Sequence, residues 1–573
     1  MRLDKSALFL SLAALSCNNG ALPSELAASA SADTPAVALQ SQLTARGGGL
    51  VLTPVANANL KRAGLAPPNI LSPELYETPV VQGSNAVENP QTVTSADGTM
   101  RTAAFYGYDG DGPLVPAPGD LPSATHVVEA SKTEPDKNTY LVLYGQIGPD
   151  ATYDYGTHFI FQGHESGAPG YVTRVNLDAD GAHKVTVMAT TDATGAALAA
   201  IDGSTWDPFA QRLVFTTENP GAPTYQATVT FPSVVEDISG AVGRGGYEGV
   251  QNDDDGNLWI VEDVGGAKPA ATPHAKVPNS FVYRFVPKHK ESLKEGKLQV
   301  LQVASLRTGQ PITFDAADAK TDDIGDLHTY GKSFPTAWVT IHDTDVDGMA
   351  PFDANALAKS KNVGTPFKRP ENGQFRPGSQ FREFFFDETG DTDARTEVGA
   401  AFGGFGSILK LVQKSPSANA GTLTLFYLSD IDHSGFDNTS FISKDQIVFV
   451  EDAGDTLHAQ RNGLDSAFLF DVRLDYSKAS NRPVRLLAEG RDASATLDSG
   501  FSDAALTGFQ NEGDNEITGF HVSNGDPSVR GLLGASIPHA FRDGWRMFYT
   551  QQHGDNFTWE ILAKPGCADR WED

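Results

Sequence analysis

Three apolar runs of this chain share one plan. Leu213-Val214-Phe215-Thr216-Thr217-Glu218-Asn219, Leu258-Trp259-Ile260-Val261-Glu262-Asp263 and Ile447-Val448-Phe449-Val450-Glu451-Asp452 each follow a polar turn and end in an acid. Runs this short, rich in β-branched and aromatic residues and bounded by turn formers, read as strands. Similar runs recur at Thr139 to Tyr144, Leu423 to Tyr427 and Met547-Phe548-Tyr549, while long helical periods are scarce. The 57 Gly and 34 Pro among 573 residues provide for many turns, so the chain is expected to be all-β. In a β-propeller, strands are arranged around a central channel, so acids at equivalent strand ends converge on one site. The three repeats lie further apart than a plain blade of roughly 40 to 45 residues allows. Large insertions between strands are therefore expected, and a sandwich pair or two smaller propellers stay open at this point.

The formal charge is −29, and no Lys/Arg run supplies a basic patch. Such a surface repels phosphate backbones and anionic lipid, so nucleic acid is not an expected partner. Residues 1–16 carry Arg2 and Lys5 before an apolar run from Ala7 to Leu15, which reads as an export signal too short to span a bilayer. Ala14-Leu15-Ser16-Cys17 is lipobox-like. Lipidation of Cys17 and ordinary signal cleavage both account for it, and a lipid anchor there is the only membrane attachment expected. The protein is expected to be exported, whether periplasmic, anchored to the outer membrane or extracellular. Residues 17–50, Ala- and Ser-rich and ending near Gly47-Gly48-Gly49, read as a flexible tether, and 51–573 as a single domain. Cys567 is the only other cysteine; if Cys17 is lipidated or removed, core packing or bound ions must hold the domain together.

Bound ions fit the acids. Glu218, Glu262 and Glu451 take matching places in the three repeats, and Glu248 sits in Gly245-Gly246-Tyr247-Glu248-Gly249-Val250, where glycines permit close backbone approach. Carboxylates forced together repel unless protonated or neutralised by a cation, and an all-oxygen site selects hard ions such as calcium or high-valent iron. Asp343-Thr344-Asp345-Val346-Asp347-Gly348 matches the first half of an EF-hand loop, but Ala354 stands where the bidentate Glu belongs, so a surface turn is expected. In Lys368-Arg369-Pro370-Glu371, an extended backbone would put Arg369 and Glu371 on one face, one to clamp an anion and the other to hold a metal. Asn511 to Gly519, which contains Glu516, and Thr550 to Asn556, which contains His553, are polar segments beside strands that would close the ring. The motifs G-x-S-x-G, Walker A, H-E-x-x-H and paired C-x-x-C are absent, so the usual serine hydrolase, P-loop NTPase, metzincin-like peptidase and zinc-ribbon readings lack support.

Taken in order, these segments resemble the secreted PhoX-type alkaline phosphatases and their DUF839 relatives. The likeness rests on Gly246-Tyr247-Glu248-Gly249-Val250, Gly256 to Asp263, Ser280 to Pro287, Phe367-Lys368-Arg369-Pro370-Glu371, Asn515 to Gly519 and Gln551-Gln552-His553. The resemblance implies a six-bladed propeller whose channel holds calcium and iron and hydrolyses a small phosphorylated substrate, a phosphate monoester. It implies Glu218, Glu248 and Glu371 as metal ligands, Arg369 as the catalytic group on the phosphoryl, and Glu262, Glu451 and Glu516 as further acidic ligands. Thr217 stands where the phosphatases carry a cysteine, and Tyr247 where a His often precedes the glutamate. Calcium is therefore the expected ion, with iron left open. A calcium-dependent lactonase, a phytase-like hydrolase and a non-catalytic, calcium-stabilised binding propeller are the alternatives on the same scaffold.

Overall fold

The computed structural model describes residues 49–60, 68–94, 98–108, 110, 132–165, 170–490, 516–552, 556–567 and 571–572. The export signal, Cys17, Asn511 to Asn515 and His553 lie outside the described residues. Gly49–Leu50, the end of the stretch read as a tether, instead pairs antiparallel with Trp571–Glu572. Among the described residues no helix is long and apolar enough to cross a membrane.

The chain is all-β and propeller-like, with short helices between strands. Four blade-like antiparallel sheets are separate. One runs Thr139–Val142, His158–Gly163, Val172–Asn176 and Val185–Ala189, and the next Ser204–Asp207, Arg212–Phe215, Tyr225–Ala227 and Val235–Asp237. A third starts at Phe436–Phe441 and continues through Gln446–Glu451, Ser466–Asp471 and Val484–Ala488 to Ile70–Leu71. The last starts at Ile517–Ser523 and is completed by the N-terminal strand Leu75–Val81, which joins the two ends of the chain.

A nine-stranded sheet fills the remaining arc. It begins at Tyr247–Asn252 and ends at Gly373–Phe375, and the long strand Ser333–Asp343 joins its two halves through Ala420–Leu428. Its two end strands lie side by side, so the sheet nearly closes on itself.

The second strands are buried on both faces because neighbouring sheets cover them. Gln446–Glu451 has no exposed position, which is why it reads as an unbroken apolar run rather than an alternating one. Inside the nearly closed nine-stranded sheet the fill is aromatic: Trp259 lies 5.1 Å from Trp338 and 5.0 Å from Phe375, centroid to centroid. Each fully buried Leu, Val or Phe side chain stabilises by roughly 1.5–3 kcal/mol, so this fill holds the strands around the axis rigidly.

The first strands of these meanders meet around the axis. Ser204–Asp207 packs on Tyr247–Asn252, that strand on Gly373–Phe375, and so on through Phe436–Phe441, Ile517–Ser523 and Thr139–Val142 back to Ser204–Asp207. Side chains tie this circle shut. Asn372 Nδ2 reaches Asp437 Oδ1 at 3.4 Å, Asn438 Nδ2 donates to Thr518 Oγ1 at 3.1 Å, and Thr139 Oγ1 lies 2.7 Å from Ser204 Oγ. The Thr518 hydroxyl donates to Asp136.

Two glycines let the strands approach this closely. A Cβ on Gly203 would lie 2.0 Å from the Glu248 carbonyl oxygen, and one on Gly249 would lie 2.5 Å from Asn372 Oδ1. Any other residue at either position would push adjacent inner strands apart.

Candidate metal centre

Each of the six inner strands brings an acid to the axis close to its first residue: Asp136, Asp202, Glu248, Glu371, Asp437 and Glu516. Ligand atoms of Asp136, Asp202 and Glu248 all lie within 4.8 Å of one another, and so do those of Glu165, Asp202 and Glu218. Asp202 is common to both triads. It is 1 % exposed, and its Oδ1 is buried without a hydrogen-bond donor among the described residues. Asp437 Oδ2 is likewise buried and undonated. An ionised carboxylate is costly to bury unless something positive neutralises it, so the protein leaves oxygens here that no donor among its described residues satisfies.

The electrostatics follow from this crowding. Burial, then Glu248 and Asp136, hold the Asp202 carboxyl well above the ordinary range. Burial also raises Glu248, with Glu218, Asp437 and Asp136 adding to the effect. Desolvation raises Glu516 as well, and that residue feels Asp452, Glu165, Asp437 and Asp136. Glu218 is exposed over much of its surface, yet its carboxyl is pushed up to about 8 by desolvation and then by Asp263.

The floor of the cluster carries one fixed cation. Lys137 Nζ donates to Asn372 Oδ1 at 3.2 Å and to Asn438 Oδ1. Burial lowers its pKa, while Asp437 and Asp136 oppose that shift.

Arg369 and Glu371 also meet at the axis, but not by the expected route. The backbone at Arg369 is left-handed, with φ 58°, so the segment is not extended there. The conformation is held by Thr389 N–H donating to the Arg369 carbonyl at 2.8 Å and by Lys368 N–H donating to Glu388 at 2.8 Å. Arg369 Nε and Nη2 grip Asp263 at 2.9 and 2.6 Å, and Nη2 also reaches Glu371 Oε1 at 3.0 Å. No hydrogen bond occupies Nη1 among the described residues.

The repeat alignment shifts by one residue. Counting from the apolar residue that opens each run, Glu218 corresponds to Asp263 and Asp452, not to Glu262 and Glu451. Successive strand residues face opposite ways, and the structure shows the result. Glu262 points into its own sheet, accepting from Phe281 N–H at 2.8 Å, Asn355 Nδ2 at 2.9 Å and the Tyr283 hydroxyl at 3.3 Å. Glu451 is held bidentately by Arg461, both contacts at 3.0 Å. Their neighbours Asp263 and Asp452 are the ones that act on Glu218.

The structure thus brings Glu218, Glu248, Glu371, Glu516 and Arg369 together and places Glu262 and Glu451 outside the cluster. Sequence reasoning missed Asp136, Glu165, Asp202, Asp263, Asp437, Asp452 and Lys137. The signal available was an acid next to a strand entry, as in Asp202-Gly203-Ser204 and Glu371-Asn372-Gly373.

Two further motifs resolve into ordinary structure. Asp343 and Asp345 of the EF-hand-like turn pair with Lys297 at 3.1 Å and Lys288 at 2.6 Å, and Asp343 caps the helical turn Thr344–Asp347. The Thr217 hydroxyl donates to the Pro223 carbonyl at 3.2 Å, and the Tyr247 hydroxyl to the Val242 carbonyl at 2.9 Å, so both protons are spent outside the cluster.

No protein-family model matches the chain, and no curated protein matches it. Among solved structures it is similar to Pseudomonas fluorescens PhoX in complex with vanadate, a transition state analogue, at 12% identity and a TM-score of 0.47, covering 91% of this chain and 99% of that one. It is also similar to the periplasmic gluconolactonase PpgL of Pseudomonas aeruginosa, at 11% identity, TM-score 0.31, covering 86% and 100%. The α-L-arabinofuranosidase PaAbf62A of Podospora anserina follows at 9% identity, TM-score 0.29, covering 84% and 99%. These are distant likenesses of fold, and no chemistry is carried across from them.

Proposed function

We propose that the chain is an exported, six-bladed propeller hydrolase that binds divalent cations at the axial carboxylates and cleaves phosphate monoesters. The six acid-bearing strand entries support dividing the nine-stranded sheet into two blades joined by Ser333–Asp343. The observation that carries the metal reading is Asp202, buried, shared by two carboxylate triads and left with an undonated oxygen. The donor set is all oxygen, which fits calcium better than a thiolate-loving ion. Asp136, Asp202 and Glu248 would hold one cation, and Glu165, Asp202 and Glu218 a second, with Glu371 beside them.

A hard cation there supplies electrophilic polarisation of the scissile group. The protein does the rest. Asp263 and Glu371 lock the Arg369 guanidinium in place, leaving its Nη1 edge to accept the negative charge that grows on the phosphoryl oxygens. Lys137 offsets part of the ring's charge from below, so that the acids tolerate one another before substrate arrives.

The test is turnover of p-nitrophenyl phosphate by calcium-loaded and by iron-supplemented protein, beside Asp202→Asn, with bound metal counted by mass spectrometry. Asp202→Asn is expected to bind fewer ions and to lose activity by about 100-fold. Folded, metal-bearing wild type that releases no phosphate would refute the reading. Thr217, a hydroxyl where a thiolate would favour iron, favours a second reading, in which a calcium-only site acts as a lactonase. Lactone hydrolysis without phosphate release would establish it.

A further inference from the structure

Beyond the axis, the loop 264–280 follows Asp263 and folds back beside the centre. It is pinned by Val277 N–H donating to the Ala267 carbonyl at 2.9 Å and by the Ser280 hydroxyl donating to the Val264 carbonyl at 2.9 Å. Gly265, on the near limb of the bend, faces Lys276 on the far one: a Cβ placed on Gly265 would lie 3.9 Å from Lys276 Nζ. The fold-back therefore sets the Lys276 ammonium against a residue two positions along the chain from Asp263, the carboxylate that grips Arg369.

Among the described residues Lys276 Nζ has no ion pair or hydrogen bond. The acids near it are already occupied. Asp391 takes Lys368 Nζ at 3.0 Å through both oxygens, the Thr396 hydroxyl at 2.6 Å and the Lys276 backbone N–H at 2.9 Å. Asp263 is taken by Arg369. The other basic group of the loop's far limb, His274, is paired with Asp393 at 3.0 Å. In a chain where acids outnumber Lys and Arg by 72 to 43, a half-buried lysine left unpaired beside an arginine is costly unless an anion visits it. Burial, then the like charge of Arg369, lowers the Lys276 pKa to about 8, with Lys268 adding to the repulsion.

We propose that Lys276 is a second anion-binding residue of this centre, closing with the free edge of Arg369 on the doubly charged group of the substrate. This deepens the phosphate-monoester reading and rests on it for the substrate class. The one open guanidinium nitrogen donates from a single side, and an added ammonium from a second direction favours a dianion over a carboxylate or a neutral lactone.

The experiment is calorimetric titration of inorganic phosphate into the calcium-loaded full chain, for wild type, Lys276→Met and Lys276→Arg, with steady-state kinetics on p-nitrophenyl phosphate alongside. Lys276→Met is expected to weaken phosphate by about 10-fold. Its KM is expected to rise by a similar factor, with kcat changing by less than about 3-fold, while the arginine variant retains most of the affinity. Because the side chain makes no hydrogen bond, thermal unfolding should match wild type; if Lys276→Met does not fold, Lys276→Gln takes its place. Phosphate bound equally well with and without Lys276, or no phosphate bound by wild type, overturns the proposal. Lysine-dependent phosphate binding without phosphoester turnover upholds the anion site while removing the hydrolase reading, so the two fail separately.

Discussion

Glu451 and Asp202 are both buried acids beside propeller strands, but they meet opposite partners. Around Glu451 the chain brings its own cation: Arg461 holds both oxygens and also reaches Asp465, which His458 contacts at 2.7 Å. Around Asp202 the chain brings more acids, and one oxygen receives nothing. The first carries its own cation within the fold, although Asp465 Oδ2 there also finds no donor among the described residues. The second is complete only when protonated or when an ion is supplied, and that difference separates a structural cluster from a candidate site.

The contrast breaks most forcefully at Arg461. Arg461→Met leaves two buried carboxylates without their cation and is expected to destabilise by about 3–5 kcal/mol in chemical denaturation, with metal content unchanged. If it instead costs nothing, the Glu451 cluster is not self-neutralised.

At the axis, the corresponding perturbation is removal of the ion. Chelation is expected to lower stability by about 2.7 kcal/mol relative to protein held at 100 times the dissociation constant, and Asp202→Asn should show little of that difference. The metal-free protein should also respond to pH. Carboxyls such as Glu248 and Asp202, and Glu218 at about 8, keep protons in the fold that the unfolded chain releases above about pH 4. The native state then binds more protons than the unfolded one, so stability falls as pH rises from about 4 to 8. Calcium should flatten that slope; a metal-free melting temperature that climbs over this range contradicts the crowded ring.

The smallest effect is expected at the EF-hand-like turn. Asp345 and Lys288 are both exposed, so Asp345→Asn should change stability by no more than about 0.5 kcal/mol and leave the response to calcium as in wild type. A lost calcium response would move the ion from the axis to this surface turn.

Much of the architecture is legible in the amino-acid order. The all-β class follows from Leu258 to Val261, Ile447 to Val450 and their like, because strands packed between neighbouring sheets read as short unbroken apolar runs. Glu248 and Glu371 are legible beside their glycines and arginine. The alignment of Glu218 with Glu262 and Glu451 is off by one, since a tally of acids at strand ends ignores the two-residue alternation that sends neighbours to opposite faces. Asp136, Asp202 and Asp437 show only the weak signal of an acid beside a strand entry. Asp136 and Asp202 lie just ahead of a strand and Asp437 is the second residue of one, and only the closing of the strand circle by Asn438, Thr518 and Thr139 sets each opposite the others.

By itself, then, the order of residues determined that strands form, that they alternate with turns, and that acids accumulate at their entries, because these are properties of short stretches of backbone and side chain. Which of two adjacent acids faces the axis, that Arg369 adopts a left-handed backbone to reach Asp263, and that Lys276 stands unpaired beside it were decided only by the tertiary structure. Charge neutralisation acts through space over a few ångströms, and the groups that meet there are separated by hundreds of residues along the chain.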